Sequence, residues 1–224
     1  MSDDLRIIET SDGSHSIEST NYKASYHSLQ GAIEESMHVF MSAGIYYKLQ
    51  ENPSNLSVFE MGFGTGLNAY LSYLTSLKFS IPIHYTSIEL HPIPASAYEP
   101  LNYYKFFERG SKDEFQKLHS IAWNENHQLS PLFSLKKSAA DLTTYIFESM
   151  HDLIFYDAFA PSAQPVLWEE KIHRKIYEAL NHGGALVTYC AQGKFKRLLK
   201  EIGYELQSLN GPSRKHEMTR AVKN

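Results

Sequence analysis

The sequence of 224 residues is poor in cysteine and in long apolar runs, and both absences exclude classes of protein. Its one cysteine, Cys190, can form no disulfide within the chain, which is typical of a reducing compartment. No apolar run approaches the roughly 20 residues that a membrane-spanning helix needs. The first residues, MSDDLRIIE, are acidic and polar, unlike a secretory signal peptide. These features predict a cytoplasmic protein with no membrane segment, in which Cys190 is packed rather than reactive.

Two common catalytic signatures are also missing. The histidines show no metal-ligand spacing, because His84, His91, His119 and His127 are unevenly separated and no H-x-x-x-H falls on a helical face. No G-x-S-x-G marks the nucleophile turn of a serine hydrolase. The sequence therefore predicts neither a bound metal nor a serine nucleophile.

Charge is unevenly distributed along the chain. The net charge of −4 argues against a protein that binds nucleic acid through overall charge. Residues 1–57 hold eight acids and three Lys or Arg, net −5, whereas residues 194–224 hold eight Lys or Arg and three acids, net +5. A cationic end can contact a phosphate backbone, and it can equally be a solvated surface. Charge alone leaves both interpretations open.

The stretch VFEMGFGTGLNAY, residues 58–70, combines a buried strand, a glycine-rich turn and the start of a helix. Gly62, Gly64 and Gly66 allow a sharp turn and a close ligand approach, because they carry no Cβ. The G-x-G-x-G spacing differs from the G-x-G-x-x-G of nicotinamide dinucleotide folds, and the Lys-Ser/Thr of a phosphate loop is missing. With Glu60 before the first glycine, the pattern predicts S-adenosylmethionine, which has a ribose and a cationic amino acid end but no pyrophosphate. The alternative is a tight turn that binds nothing.

Apolar periodicity predicts alternating strands and helices after residue 50. The strands are expected at 57–60, 83–89, 131–137, 151–156 and 185–189, and the helices at 67–78, 113–124, 142–148, 168–180 and 194–202. A turn is expected at 182–184, and two last strands, 204–209 and 218–222, form an antiparallel hairpin. Short strands at 5–9 and 16–19 and a helix near 33–44 come first.

This order predicts an α/β, Rossmann-like fold with a seven-stranded, mostly parallel sheet and a C-terminal antiparallel hairpin. That is the architecture of class I S-adenosylmethionine-dependent methyltransferases. Residues 1–50 are expected to form an N-terminal extension packed on a methyltransferase domain that spans residues 51–224.

Acidic side chains follow three further predicted strands, where the ligand of an open parallel sheet lies. Glu89 is placed to accept hydrogen bonds from both ribose hydroxyls, or it is an ordinary surface carboxylate. Asp141 is placed to accept from the adenine amino group, to cap a helix, or both. Asp157 is predicted to orient an amine and accept its proton, with Phe159 packed on a planar substrate ring; a structural acid is the alternative.

Three motifs together resemble one family. EMGFGTGLN (60–68), DAFAPSAQPVLW (157–168) and GPSRKHEM (211–218) are similar to the methyltransferase domain of the bifunctional tRNA-modifying MnmC enzymes and their stand-alone relatives. The opening segment with Tyr26, His27, Glu34 and Glu35 also resembles that family. The second motif is the most specific, and the similarity extends from about residue 25 to the end of the chain.

The resemblance implies methylation of the 5-aminomethyl group on the tRNA wobble (2-thio)uridine, with S-adenosylmethionine as cofactor and tRNA as partner. It implies a catalytic carboxylate at Asp157, a pocket shaped by Phe159 and Pro161, and tRNA contact or closure by Arg214 and Lys215. No oxidase domain lies within the 224 residues, so upstream tRNA-modification enzymes are expected to supply the aminomethyl precursor. The residues implied to contact the cofactor are Glu60, Gly62, Phe63, Gly64, Thr65, Gly66, Asn68, Glu89, Asp141 and Asp157.

The chain also departs from the family pattern. Pro212 stands where the family has phenylalanine, and Ala158 stands where the family's Asp-Gly-Phe triplet has glycine. The N-terminal segment is also acidic. These departures bear on the substrate more than on the chemistry. Three alternatives therefore stay open: a methyltransferase acting on a small metabolite or protein amine, a non-catalytic S-adenosylmethionine-binding module, and a nicotinamide oxidoreductase, which the glycine spacing disfavours.

Overall fold

The structure, a computed structural model, describes residues 4–212 and 217–224 as two β-sheets with surrounding helices. In chain order the strands are β1 (Leu5–Glu9), β2 (His15–Ser19), β3 (Ala24–Ser25), β4 (Leu56–Met61), β5 (Ile83–Glu89), β6 (Asn126–Ser130), β7 (Phe133–Ala139), β8 (His151–Tyr156), β9 (Leu180–Thr188), β10 (Tyr204–Asn210) and β11 (Glu217–Lys223). The α-helices are α1 (Ala32–Ser36), α2 (Tyr46–Leu49), α3 (Leu67–Phe79), α4 (Ala95–Tyr98), α5 (Lys112–Ser120), α6 (Glu170–Glu178) and α7 (Gly193–Ile202). A π-helical segment, Met37–Ile45, joins α1 to α2, and 3-10 turns occur at Tyr103–Phe106 and Pro165–Trp168.

The large sheet has the strand order β10-β11-β9-β8-β4-β5-β7-β6. Its five central strands, β9, β8, β4, β5 and β7, run parallel to one another. In β4 and β8 nearly every side chain is buried, as strands covered by helices on both faces require. The last two strands form an antiparallel hairpin that pairs with β9 through β11. The predicted mostly parallel sheet with its C-terminal hairpin is therefore confirmed.

The large sheet has eight strands instead of the predicted seven. The additional strand, β6, pairs antiparallel with β7 at the sheet edge. Its sequence, NHQLS, is mostly polar, and its side chains are exposed or half-buried. The central strands were predicted from their continuous apolar runs. An edge strand of this kind has no such run, so the sequence did not predict it.

The helix predicted over residues 142–148 is wrong, because this stretch forms turns without a helix. The ammonium group of Lys175, from α6, donates to the carbonyl oxygens of Leu142 and Tyr145 at 2.6 and 2.5 Å. A helix over 142–148 would have bonded the Leu142 carbonyl internally, whereas the Tyr145 carbonyl would lie in its last turn without a helical partner. The contact with Lys175 thus takes the place of the helical hydrogen bond at Leu142.

The turn predicted at residues 182–184 is instead a bulge inside β9. His151 of β8 lies opposite Leu180, whereas Leu153 lies opposite Ala185, so four residues of β9 face one residue of β8. Gly183 in this bulge has a φ of +76°, in the left-handed region. The local glycine signal was correct, and the strand continues on both sides of it.

The chain before β4 contributes both a small sheet and part of the main core. Strands β1, β2 and β3 pair antiparallel, and β3 has only two paired positions. The predicted helix near residues 33–44 is confirmed, although much of it is π-helical, and Val39 and Phe40 are buried. A Cβ on Gly44 would lie 2.9 Å from Cε1 of Phe155, so this glycine permits close packing against β8. The division of the chain at residue 50 stays a prediction.

Cys190 is buried, as predicted, and burial raises the pKa of its thiol. Across residues 4–212 and 217–224, no helix combines the length and the apolar character needed to cross a lipid bilayer.

His173 of α6 is fully buried among aromatic rings. The ring centroids of Tyr156 and Phe195 each lie 4.8 Å from its imidazole, and that of Trp168 lies 6.2 Å away. Burial lowers the pKa of His173 to about 3, and the Leu167 carbonyl weakly opposes this shift. The fold therefore accepts this side chain in its neutral form.

We expect the variant His173→Phe to resist acid better than the wild-type protein. Histidine in the unfolded chain has a pKa of about 6.5. Above that pH the ring is neutral in both the folded and the unfolded state, so burial of His173 costs no stability through protonation. As the pH falls from about 6.5 toward 3, unfolding takes up a proton, and one such histidine costs about 1.4 kcal/mol of stability per pH unit. The wild-type protein should therefore lose about 2 kcal/mol through His173 between pH 6.5 and pH 4.5.

Urea unfolding at pH 7.0 and 4.5 measures this difference, because phenylalanine keeps the aromatic packing and binds no proton. The exposed His182 provides the control variant, His182→Phe, which should follow the wild-type pH dependence. An equal loss of stability in His173→Phe and the wild type would contradict the assignment.

Candidate active site

The carboxyl ends of β4, β5 and β8 meet at one edge of the large sheet and border a cavity of about 240 Å³. Strand β4 is where the strand order reverses, with β5 on one side and β8 on the other. Ligands of open α/β sheets bind at such a switch point. The lining residues come from the loop after β4, from the ends of β5, β8 and β9, and from the N-terminal part of the chain.

The loop after β4 is shaped by glycines in the left-handed region. Gly62 has a φ of +89°, and a Cβ there would lie 3.1 Å from the backbone oxygen of Asp157. Gly64 has a φ of +48°, and a Cβ there would lie 3.0 Å from Cδ1 of Tyr26. Both the backbone conformation and the available space thus require glycine. The loop is tightly enclosed by β8 on one side and by the N-terminal segment on the other.

The Glu89 carboxylate, at the end of β5, is fixed beside this loop. Its Oε2 accepts a hydrogen bond from the Gly64 N–H at 3.1 Å, and its Oε1 accepts one from the His91 N–H at 2.9 Å. Burial raises the pKa of Glu89, and these backbone donors oppose the shift. The position agrees with that of a ribose acceptor, and the role stays a prediction.

Asp157 and Asn68 form the polar contact at the centre of the cavity wall. Nδ2 of Asn68 donates to Oδ2 of Asp157 at 2.9 Å, and the Asp157 N–H donates to the Met61 carbonyl at 3.2 Å. The Oδ1 atom of Asn68 is buried and has no hydrogen-bond partner within residues 4–212 and 217–224. A buried acceptor of this kind is normally satisfied by a donor, and Asn68 has both the Glu60 carboxyl and the cavity beside it.

Glu60 lies beneath the glycine loop and is not among the described residues that line the cavity. Its side chain is 1 % exposed, and Oε2 accepts a hydrogen bond from Ser87 Oγ at 2.8 Å. Burial raises its pKa well above the ordinary value; the Ser87 bond opposes this shift and the nearby Asp157 adds to it. The geometry gives Glu60 a supporting position, and its predicted contact with the cofactor remains a prediction.

Eight predicted site residues line the cavity together: Gly62, Phe63, Gly64, Thr65, Asn68, Glu89, Asp157 and Phe159. Gly66 and Pro161 do not line it. Asp141 does not line it either, and its Oδ1 accepts the Thr143 N–H at 2.8 Å in a local turn without a helix. The predicted residues Arg214 and Lys215 lie outside the described residues.

Tyr22, residues 24–28 and Glu35 form a further side of the cavity, here called the N-terminal wall. The ring of Tyr22 stacks on Phe159, with centroids 4.4 Å apart and an interplanar angle of 20°. Tyr26 meets the same phenylalanine edge-on at 5.2 Å. The sequence assigned no ligand role to these residues, and the family resemblance of the opening segment was the one signal that pointed to them.

The charged groups around the cavity are acidic. Glu35, Glu89 and Asp157 line it, and the Glu35 carboxylate accepts the Ser28 N–H at 2.8 Å. Burial lowers the pKa of His27 to about 4, although Glu35 opposes this shift, so the imidazole is neutral at physiological pH. Such a lining favours cationic ligands. No cluster of His, Cys, Asp or Glu suited to a metal ion occurs in the described part of the chain.

Several known proteins similar in sequence to this chain carry names from tRNA modification. A protein from Marinomonas sp. (strain MWYL1), named tRNA 5-methylaminomethyl-2-thiouridine biosynthesis bifunctional protein MnmC, is 27% identical over 211 residues, covering 87% of this chain and 30% of that protein. Its namesake from Idiomarina loihiensis is 26% identical over 220 residues, covering 89% of this chain and 36% of that protein. The chain thus spans about a third of the length of these curated relatives. These similarities confirm the resemblance that the three motifs predicted.

The crystal structure of MNMC2 from Aquifex aeolicus matches with a TM-score of 0.80 and 22% identity, covering 98% of this chain and 70% of that chain. At this identity the match establishes the fold, and it confirms the predicted fold class. A family model described as S-adenosyl-L-methionine-dependent methyltransferase matches residues 113–224, which is half of the sequence and includes Asp157. This chain belongs to that family of methyltransferases, and its cofactor is S-adenosylmethionine.

Proposed function

We propose that this methyltransferase acts on the 5-aminomethyl group of the tRNA wobble (2-thio)uridine and produces 5-methylaminomethyl-(2-thio)uridine. The observation that carries the proposal is the Asp157 carboxylate, held by Asn68 between the glycine loop and the aromatic ring of Phe159. This arrangement suits an amine attached to a planar ring. The names of the MnmC relatives support the same substrate.

The residues around the cavity fit S-adenosylmethionine, which when bound supplies an electrophilic methyl group on a sulfonium. Gly62 and Gly64 let the loop pack closely against Asp157 and Tyr26 at the edge of the cavity. The Glu89 carboxylate is suited to accept the ribose hydroxyls, and the buried Oδ1 of Asn68 is an acceptor for a ligand donor. The acidic lining complements the positive charge of the cofactor.

Asp157 has two tasks in this reaction. An alkyl amine has a pKa near that of lysine, about 10.4, so the substrate arrives mostly as an ammonium ion. The carboxylate binds this cation and accepts the proton that leaves nitrogen, which exposes the lone pair for methyl transfer. Asn68 fixes the orientation of Oδ2. Positioning and removal of water contribute most of the rate enhancement.

The helix α7 supports a nucleic acid as the partner. It begins four residues after the cavity residue Tyr189, and Lys194, Arg197 and Lys200 are exposed at successive turns. Cations at this spacing can follow a phosphate backbone. Arg220, by contrast, is engaged within the fold, because it donates to the Ala43 carbonyl at 3.1 Å.

The second candidate substrate is a small metabolite or a protein amine. The acidic cavity suits any small cation, and the net charge of −4 favours a substrate without phosphates. Under the leading proposal the enzyme works in the cytoplasm, on tRNA to which upstream modification enzymes have already added the aminomethyl group.

Incubation with methyl-labelled S-adenosylmethionine and tRNA from a strain lacking this gene tests the proposal. We expect label in the wobble nucleoside, identified after digestion as 5-methylaminomethyl-(2-thio)uridine. The matched control is tRNA from the parent strain, whose wobble position is already methylated and should accept almost no label. If calorimetry shows cofactor binding while neither tRNA is labelled, the tRNA proposal is wrong and the small amine is favoured.

A further inference from the structure

The backbone on either side of the Phe159 ring is held rigidly. The Phe159 N–H donates to Oε1 of Gln164 at 3.0 Å, and its carbonyl accepts the indole N–H of Trp168 at 2.9 Å. Trp168 is itself buried. Because Phe159 follows Asp157 by two residues, its ring forms a fixed platform beside the carboxylate.

The ring that covers this platform comes from a short turn of the small sheet. Tyr22 lies in the turn between β2 and β3, where its N–H donates to Ser19 Oγ at 3.2 Å. The following strand, β3, pairs with β2 at only two positions. The stack of Tyr22 on Phe159 therefore joins the fixed platform to a ring from this turn, at the wall of the cavity.

We propose that the acceptor uracil ring stacks between Phe159 and Tyr22, so that Tyr22 selects a planar ring as the carrier of the amine. This inference rests on the proposed function and names a specificity residue for it. Aromatic side chains stack on nucleobases in the same near-parallel geometry that the two rings adopt here. Bases of a single-stranded loop leave their neighbours at small cost, which makes such insertion feasible.

Tyr26 is a second aromatic side chain of the N-terminal wall that packs against Phe159. It contacts Phe159 at 5.2 Å and also lies against Gly64 of the cofactor loop. An inserted base would thus lie between the segment that carries Asp157 and the N-terminal wall, next to the cofactor loop. The rings of Tyr22 and Phe159 are in contact at 4.4 Å, so a base can enter only by taking the place of Tyr22 on Phe159 while Tyr22 moves outward to stack on the base. A flexible alkyl amine has no ring that could replace this contact, so the stack discriminates against the small-amine substrates of the alternative function.

The test compares three substitutions at Tyr22, with steady-state kinetics on tRNA that carries the aminomethyl group. Tyr22→Ala should raise the KM for tRNA roughly 10- to 100-fold, the loss expected for one base stack. The kcat should change much less, because the Asp157–Asn68 contact is intact. Tyr22→Phe retains the ring and should stay close to the wild type. Tyr22→Leu keeps the apolar bulk without an aromatic face and should resemble Tyr22→Ala.

Two further measurements separate recognition from folding. Fluorescence anisotropy of tRNA binding without cofactor should show the same order of variants, and calorimetry should show unchanged affinity for S-adenosylmethionine. Tyr46→Ala is the matched control, because it removes a ring contact with Phe79, at 5.6 Å, outside the cavity. It should leave tRNA binding unchanged.

The outcomes distinguish the two proposals. Wild-type activity on tRNA together with an unchanged KM in Tyr22→Ala and Tyr22→Leu would overturn the stacking role and leave the proposed function intact. Equal losses in Tyr22→Phe and Tyr22→Ala would also overturn it, because the ring would then be irrelevant. A wild-type enzyme that labels no tRNA would overturn the proposed function, and the stacking role with it.

Discussion

Replacing Asp157 by asparagine should slow methyl transfer by about 10²- to 10⁴-fold, the range typical of a lost acid–base group. Asparagine has nearly the same shape as aspartate, and its side-chain oxygen can still accept the hydrogen bond from Asn68. What disappears is the negative charge that binds the ammonium ion and accepts its proton. The loss should therefore appear in kcat and in single-turnover rates.

Cofactor affinity separates this interpretation from a structural one. The dissociation constant for S-adenosylmethionine should change only a few-fold in Asp157→Asn, because the glycine loop and Glu89 remain in place. Asp113→Asn, at an exposed site on α5, removes a carboxylate elsewhere and should leave turnover unchanged. Unaltered turnover in Asp157→Asn would remove Asp157 from the mechanism, and an equal loss of cofactor binding would make it a structural acid.

The substitution Gly66→Ala should abolish measurable cofactor binding and destabilise the fold by about 2–3 kcal/mol. Gly66 has a φ of +72°, and a Cβ there would lie 2.7 Å from Nε2 of His119. His119 is held firmly, because Nε2 lies 3.0 Å from the Thr65 carbonyl oxygen and the ring stacks on Tyr98 at 4.1 Å. The loop must therefore move away from its position in the cavity wall.

Gly183→Ala provides the matched control for this steric effect. Gly183 has a similar φ of +76°, but a Cβ there would meet no atom within 4 Å. It should therefore show only the cost of the left-handed backbone, about 1–2 kcal/mol, with unchanged cofactor affinity. Thermal unfolding and calorimetry measure both quantities. Equal behaviour of the two variants would show that backbone strain, and not the collision with His119, determines the outcome at Gly66.

The cofactor loop and the strand-end acids could be predicted from the sequence because their signals are local. A buried run that ends in spaced glycines specifies a strand, a turn and a helix within a few residues. Parallel pairing then brings the ends of β4, β5 and β8 together, which places Glu89 and Asp157 at one cavity. The orientation of Glu60 could not be predicted, because its sequence position does not reveal the hydrogen bond that Ser87 of the neighbouring strand donates to it.

The N-terminal wall and the turn after Asp141 depend on contacts between distant parts of the chain. Tyr22 reaches Phe159 from a separate small sheet, and no local pattern encodes that packing. The helix expected after Asp141 does not form, and Lys175 instead binds two carbonyl groups of that stretch. In each case a tertiary contact decides between local conformations of similar energy.

The separation of the two sheets has a consequence for the energetics of ligand exchange. The segment with Tyr22 and Tyr26 adjoins the three-stranded sheet, and among the residues that the structure describes no strand ladder connects that sheet to the large sheet that carries Glu89 and Asp157. Local unfolding of the turn and of β3 breaks two ladder positions, whereas β4 is bound by neighbours on both sides. We therefore expect the turn and β3 to open more readily than β4. Such an opening would let ligands enter and leave while the groups that carry out the chemistry remain in the native state.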